Sequence, residues 1–201
     1  MPKQKKQSTK SSRPRPLALL VIAALLVGVG LLAYSIWQAN APSPDAIEFQ
    51  PLPLHGDKSL LEKVESFPSE GTEHVDGQPL SFNTNPPTSG DHRSVAATAG
   101  FYDQPPEPGQ LVHSLEHGAI VLYFDPGRAT EAEKQSLRAF ARKHTSSWAS
   151  VLVVPAGKYE VPFILTAWMK MLKLENYDAK VVQAFLAEYL GRGPEKPVRP
   201  K

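Results

Sequence analysis

The spacing of apolar positions changes several times along the chain, and each change marks an element. Residues 17–37, LALLVIAALLVGVGLLAYSIW, form a run of twenty-one residues without a charge. A helix rises about 1.5 Å per residue, so this run would reach about 31 Å, the thickness of a bilayer's hydrocarbon core. It predicts a transmembrane anchor, with Tyr34 and Trp37 suited to one interface. The next signals are shorter. KSLLEKVESF (58–67) has the spacing of a short amphipathic helix, and EHVDGQPLSF (73–82) sets an Asp76-Gly77 turn between apolar residues, a hairpin signal. AIVLYF (119–124), SVLVVP (150–155) and VPFILTAWM (161–169) are apolar runs of strand length, with Pro162 tolerated near the start of the third. Two amphipathic helices accompany them. TEAEKQSLRAFARKH opens on a capping box, Thr130 and Glu133, and aligns Leu137, Phe140, Ala141 and His144. DAKVVQAFLAEYL runs from an N-cap at Asp178 to a stop at Gly191, with Val182, Phe185, Leu186 and Tyr189 facing inward.

The order β-α-β-β-α predicts an α+β fold: a single N-terminal transmembrane helix followed by a small mixed sheet with packed helices. The expected organisation is a basic cytoplasmic tail (1–16), the anchor (17–37), a Pro-rich stalk (38–57), an extracytoplasmic α+β domain (58–195) and a short tail (196–201). ANA at 39–41 also resembles a leader-cleavage site. The preceding apolar stretch is longer than the roughly 7–15 residues of a cleaved leader and ends in Trp37, which favours an uncleaved anchor. Either reading puts the domain outside the cytoplasm. The expected location is therefore a bacterial inner membrane, crossed once, with the C-terminal domain extracytoplasmic.

Charge sharpens this picture. Lys3, Lys5, Lys6, Lys10, Arg13 and Arg15 all precede the apolar run, and none of the 20 acidic residues does. Of 22 basic residues, 16 follow it, which leaves that part a formal charge of −4. The basic pI of about 8.7 is thus a topology signal, and no nucleic-acid partner is expected. The chain has no cysteine, which excludes disulfides and every thiolate site.

The chemistry then falls to histidine. His74, His92, His113 and His117 lie within 44 residues, among the Pro-rich segments NTNPPTSGDH and YDQPPEPG. In HSLEHG, His113 and His117 would stand about 13 Å apart on a strand, too far to share an ion. On a helical turn they share one face with Cβ atoms about 5–6 Å apart, and Gly118 is a suitable stop for such a turn. H-S-L-E-H also fits the H-x-x-E-H signature of a zinc metalloprotease, with Glu116 activating water. Against that, the turn ends at once in Gly118, where a protease needs a longer active-site helix. His55 reads as a solvated stalk residue and His144 as a helix-end cation. Met169 and Met171 would point to one side of a continuing strand, and a thioether beside imidazoles suits copper(I).

NPPTSGDH, GFYDQPP, LVHSLEHG, LTAW and the closing GPE, in this order over residues 73–195, resemble the bacterial family catalogued as domain of unknown function 3105. The resemblance implies a membrane-anchored or secreted domain with no settled activity. It also implies that His92, His113 and His117 belong to a shared pattern, with a counterpart for His74. The chain departs from that pattern at Asp91, where proline is commoner, and at Met169, which has no methionine counterpart.

The reading is a membrane-anchored metal-binding protein, with enzymatic activity left open and leaning to none. It would hold one ion, copper first and zinc second, through His92, His113 and His117 with His74. Glu116 and Met169 are further candidates, for metal handling or sensing. The alternatives are an assembly or interaction protein whose histidines hold Pro-rich loops for an extracytoplasmic protein partner, and the small zinc protease.

Overall fold

A computed structural model describes residues 26–32 and 52–199. The basic tail, the flanks of the apolar run, most of the stalk and residues 200–201 lie outside the described residues. Residues 26–32 are helical and exposed. Seven residues of helix span only about 10 Å. Among the described residues no helix is long and apolar enough to cross a membrane. The expected architecture is corrected on this point, and also on its sheet. That sheet is not small: among the described residues it has seven strands.

The domain is a mixed α+β fold. A 3-10 turn, Lys58–Leu60, is followed by β1 (Glu65–Ser66), β2 (Gly100–Phe101), α1 (Pro108–Glu116) and β3 (Ile120–Phe124). Then come α2 (Glu131–Ala141), β4 (Thr145–Ser146), β5 (Ala149–Pro155), β6 (Phe163–Ala167), β7 (Lys170–Leu174) and α3 (Ala179–Tyr189). The strand order is β1-β7-β6-β3-β5-β2, with β4 beside β5. β3 lies parallel to β5, linked to it through α2, and antiparallel to β6.

Why the central strands read as unbroken apolar runs is clear from their surroundings. Ile120, Leu122 and Phe124 of β3 pack into one core with Leu137 of α2 and Phe185 and Leu186 of α3. Val121 and Tyr123 face the opposite side, packing with Leu111 and Leu115 of α1. A strand covered on both faces has no polar side to alternate with. Burying a leucine such as Leu115, fully inaccessible here, contributes about 1.5–3 kcal/mol.

Three local expectations are corrected. KSLLEKVESF forms only the 3-10 turn, capped by Asp57 Oδ1 accepting from Ser59 N–H (2.9 Å), and then enters β1 beside β7. Asp76-Gly77 does not close a hairpin. Its carboxylate instead accepts from Ser94 N–H (3.1 Å) and Oγ (2.5 Å), while His74 pairs with His92 in a single parallel bridge. The run 161–169 breaks after Ala167. Trp168 and Met169 make the turn between β6 and β7, with Met169 at φ +62°. Met171 is a core residue on β7, so the two methionines do not share a strand face.

The segment after α3 folds back over the end of α1. Arg192 donates to Ala187 O (2.7 Å) and Glu188 O (2.6 Å), and Arg199 to Leu186 O (3.1 Å), which satisfies the open carbonyls of α3. Residues 52–57 run against the same helix, with Arg192 donating to Leu54 O and Arg199 to Pro53 O. Gly191 N–H donates to Gly118 O (2.8 Å). Here the backbones touch: a Cβ on Gly193 would lie 2.0 Å from Glu116 O.

That contact is testable. Gly193→Ala forces two backbones apart and should cost about 2–3 kcal/mol, a fall in Tm of roughly 4–12 °C. Gly77→Ala, at φ +73° but with nothing within 4 Å, should cost only about 1 kcal/mol. Equal melting temperatures for the two variants would contradict the contact.

Candidate metal centre

The site forms where α1 ends. Pro108 occupies the first turn, where a missing N–H costs nothing. Arg93 holds that end by donating to Glu107 Oε1 through Nε (2.6 Å) and Nη2 (2.5 Å), and it also reaches Val75 O (2.7 Å) and Gln78 O (2.9 Å). At the other end His117 N–H still bonds to His113 O (3.1 Å), so the helical turn persists to His117. Gly118, at φ +86°, then ends it. This turn brings His113 Nε2 and His117 Nε2 to 3.0 Å.

The Pro-rich loop delivers the next ring. Thr88 N–H bonds to Thr84 Oγ1 (3.0 Å), Ser89 Oγ to Pro68 O (3.3 Å), and Asp91 Oδ1 accepts from Glu73 N–H (3.1 Å). His92 N–H donates to Glu73 O (2.9 Å), and Val75 N–H to His92 O (2.7 Å). His92 is thereby 0% exposed. Its ring centroid lies 5.0 Å from His74 and 4.9 Å from His113, and His74 lies 4.7 Å from His113. Three imidazoles from three segments face one another.

The predicted residues sort as follows. His74, His92, His113 and Glu116 place one ligand atom each within 4.8 Å of one another. His117 belongs to a second group, with His113 and Glu195, at the same mutual distance. Met169 lies in the β6–β7 turn, where its N–H donates to Thr88 O (2.9 Å) and so braces the loop that carries His92. His55 is elsewhere, 3.4 Å from Glu188, and His144 packs edge-on to Phe140.

Glu195 is the residue that local patterns missed. Its Oε2 lies 2.8 Å from His117 Nε2, put there by the backbone contact at Gly193. The only signal was the closing GPE motif beyond the last helix. Trp148 was missed too, and its ring lies against His117 at 4.2 Å.

The whole cluster falls inside one sequence match. The family described as protein of unknown function (DUF3105) matches residues 74–200, from the first of these histidines past the last glutamate. The chain belongs to the DUF3105 family. No curated protein and no solved structure matches it.

Hydrogen bonding fixes the chemistry of the DUF3105 rings. His92 Nδ1 is 2.8 Å from Gly90 O, and His113 Nδ1 is 2.7 Å from Arg93 O. A carbonyl only accepts, so each Nδ1 carries its ring's proton and each Nε2 of a neutral ring presents a lone pair. His92 Nε2 is 3.1 Å from Glu116 Oε2. Yet the approach is not that of a hydrogen bond, and Nε2 is buried without a partner. Two electron-rich atoms facing each other in a buried site call for a cation between them, a proton or a metal ion. Burial pushes the His113 imidazole below its ordinary pKa; the neighbouring His117, His92 and His74 add to this against the Arg93 bond. A neutral imidazole is the form that ligates.

A pH dependence follows for the metal-free protein. Burial also lowers His144, so two histidines bind protons more weakly folded than unfolded. The unfolded chain therefore takes up more protons as pH falls through the ordinary value of 6.5, and stability falls with it. Apo protein should lose melting temperature between pH 7 and 5, a window above the titration of the carboxylates held low at Asp57, Asp76, Asp125 and Glu131. A flat profile over that range would contradict the placement of these rings.

Proposed function

We propose that this DUF3105 domain binds one divalent transition-metal ion through His74, His92, His113 and Glu116. The observation that carries the reading is His92 Nε2, fully buried, without a hydrogen-bond partner, and aimed at a carboxylate and two further imidazoles. A polar atom left this way costs about 1–3 kcal/mol, a cost that a bound ion removes. The outer ends of the rings fit as well. Metal-bound histidines commonly donate their other N–H to a backbone carbonyl, as His92 and His113 do to Gly90 O and Arg93 O. Four ligands at about 2.0–2.1 Å around a tetrahedral ion stand about 3.4 Å apart; these atoms lie within 4.8 Å of one another, with the His92–Glu116 pair already at 3.1 Å.

Imidazole with carboxylate suits zinc(II) or copper(II). The preference for copper(I) leaned on Met169, whose backbone role as a brace accounts for its position. Zinc is therefore the first choice here, with copper(II) its competitor under the Irving–Williams order.

The rival readings explain less. If the histidines only held Pro-rich loops, the Nδ1 bonds would suffice, and nothing would require the Nε2 atoms to converge. As a protease, H-x-x-E-H needs Glu116 to face a substrate cleft. The cleft of about 370 Å³ beside His117 is lined by residues such as Ala97, Thr98, Ser146 and Ser150, without Glu116, whose carboxylate is turned to His92.

The test is a zinc and copper(II) titration of the full chain, purified without a histidine tag. Wild type should bind with sub-micromolar affinity. His92→Ala and His113→Ala should each lose at least about 100-fold, while His144→Ala should not change it. Metal at 100 times its Kd should add about 2.7 kcal/mol to stability. Micromolar or weaker binding by wild type, or three variants that bind alike, would sink the reading.

A further inference from the structure

The two ligand groups have one member in common, His113. Its Nδ1 is committed to Arg93 O, so only Nε2 faces both groups. An imidazole nitrogen has one in-plane lone pair and holds one ion at a time. The groups therefore cannot both be filled through His113, which makes them alternatives.

They differ in access. His92 and Glu116 of the first group are 0% and 6% exposed, and His113 itself 6%. His74 is its exposed member, with its ring laid against His92 and His113. In the second group the side chains of His117 and Glu195 are 21% and 46% exposed, and His117 lines the cleft of about 370 Å³. Glu195 also rides on a segment held to α1 by a long backbone bond, Glu195 N–H to Glu116 O at 3.5 Å.

Resting on the metal-binding reading, we infer that one ion occupies two positions in turn, loading at His113, His117 and Glu195 and being held at His74, His92, His113 and Glu116. His113 keeps its bond throughout. The ion gives up His117 and Glu195 as it gains His74, His92 and Glu116, so its charge and oxidation state are unchanged. His117 Nε2 must be free of its proton when the ion arrives: a neutral ring shifts that proton to Nδ1 through solvent, an imidazolium releases one proton to solvent, and the change reverses when the ion moves inward. A carboxylate in each position keeps the net charge of the two sites alike, so neither position traps the ion by charge alone.

The experiment loads zinc onto the full chain in a stopped-flow instrument with a chromophoric indicator, and follows its release to a competing chelator. Wild type should bind one zinc per chain. Glu195→Gln, an isosteric change at an exposed side chain, should slow loading and release each at least tenfold, so that affinity falls by less than the rates do. Glu116→Gln and His92→Gln should load at the wild-type rate and release at least tenfold faster, because the ion then stays in the outer position. Either of these two inner variants suffices if the other fails to fold. Two zinc ions per chain at micromolar concentration, or wild-type rates in Glu195→Gln, would overturn the two-position scheme while leaving metal binding intact. A wild-type chain that binds no zinc overturns both.

Discussion

The hydrogen bond from His113 Nδ1 to Arg93 O, 2.7 Å long, is the constraint on which the rest of the site depends. It joins the last turn of α1 to the loop that carries His92. It sets the His113 tautomer, and with it the direction of the Nε2 lone pair. Arg93 is itself held at the far end of the same helix by Glu107 and the carbonyls of Val75 and Gln78. The loop, both ends of α1 and the His74 segment are therefore tied together by hydrogen bonds. Three segments keep a common geometry at the rings because the carbonyl and guanidinium of Arg93 join them.

This arrangement explains which parts of the fold the sequence could declare. β3, β5 and β6 are covered on both faces, so their apolar runs are long enough to recognise. β1, β2 and β4 have two residues each, too few for any period to register. β7 was hidden because the turn before it uses Trp168 and Met169, with neither glycine nor asparagine despite a positive φ. Asp76-Gly77 has the composition of a hairpin turn, but the Ser94 bonds turn that carboxylate toward the following loop. Of the apolar run 17–37 the described residues are 26–32, which are helical but too short a stretch to cross a membrane.

The site was legible to the extent that its geometry is local. His113 and His117 are four residues apart, and Gly118 signals where their turn must end. His92 could be picked by its motif but not oriented, because its burial depends on Thr88, Ser89 and Asp91 closing the loop beneath it. Glu195 was marked only by the closing GPE motif, with nothing in the local pattern to link it to His117. It reaches His117 only because Gly118 and Gly193 lack side chains and let two backbones meet. A glycine kept for close approach looks, in a bare sequence, like any other loop glycine.

The cluster also sits apart from what makes the domain fold. Both hydrophobic cores lie on the two faces of the sheet and contain none of the four histidines. The His92 and His113 rings are held by backbone carbonyls, so their convergence does not wait for an ion. A small zinc domain that is unfolded without metal draws its folding free energy from ligation. Here the sheet and three helices supply the folding energy, and the unpartnered Nε2 of His92 is a local cost carried within it. On the metal-binding reading proposed above, a site prepared in this way would release an ion without unfolding. Under that reading the property would suit an ion that is picked up and handed on better than one that is structural.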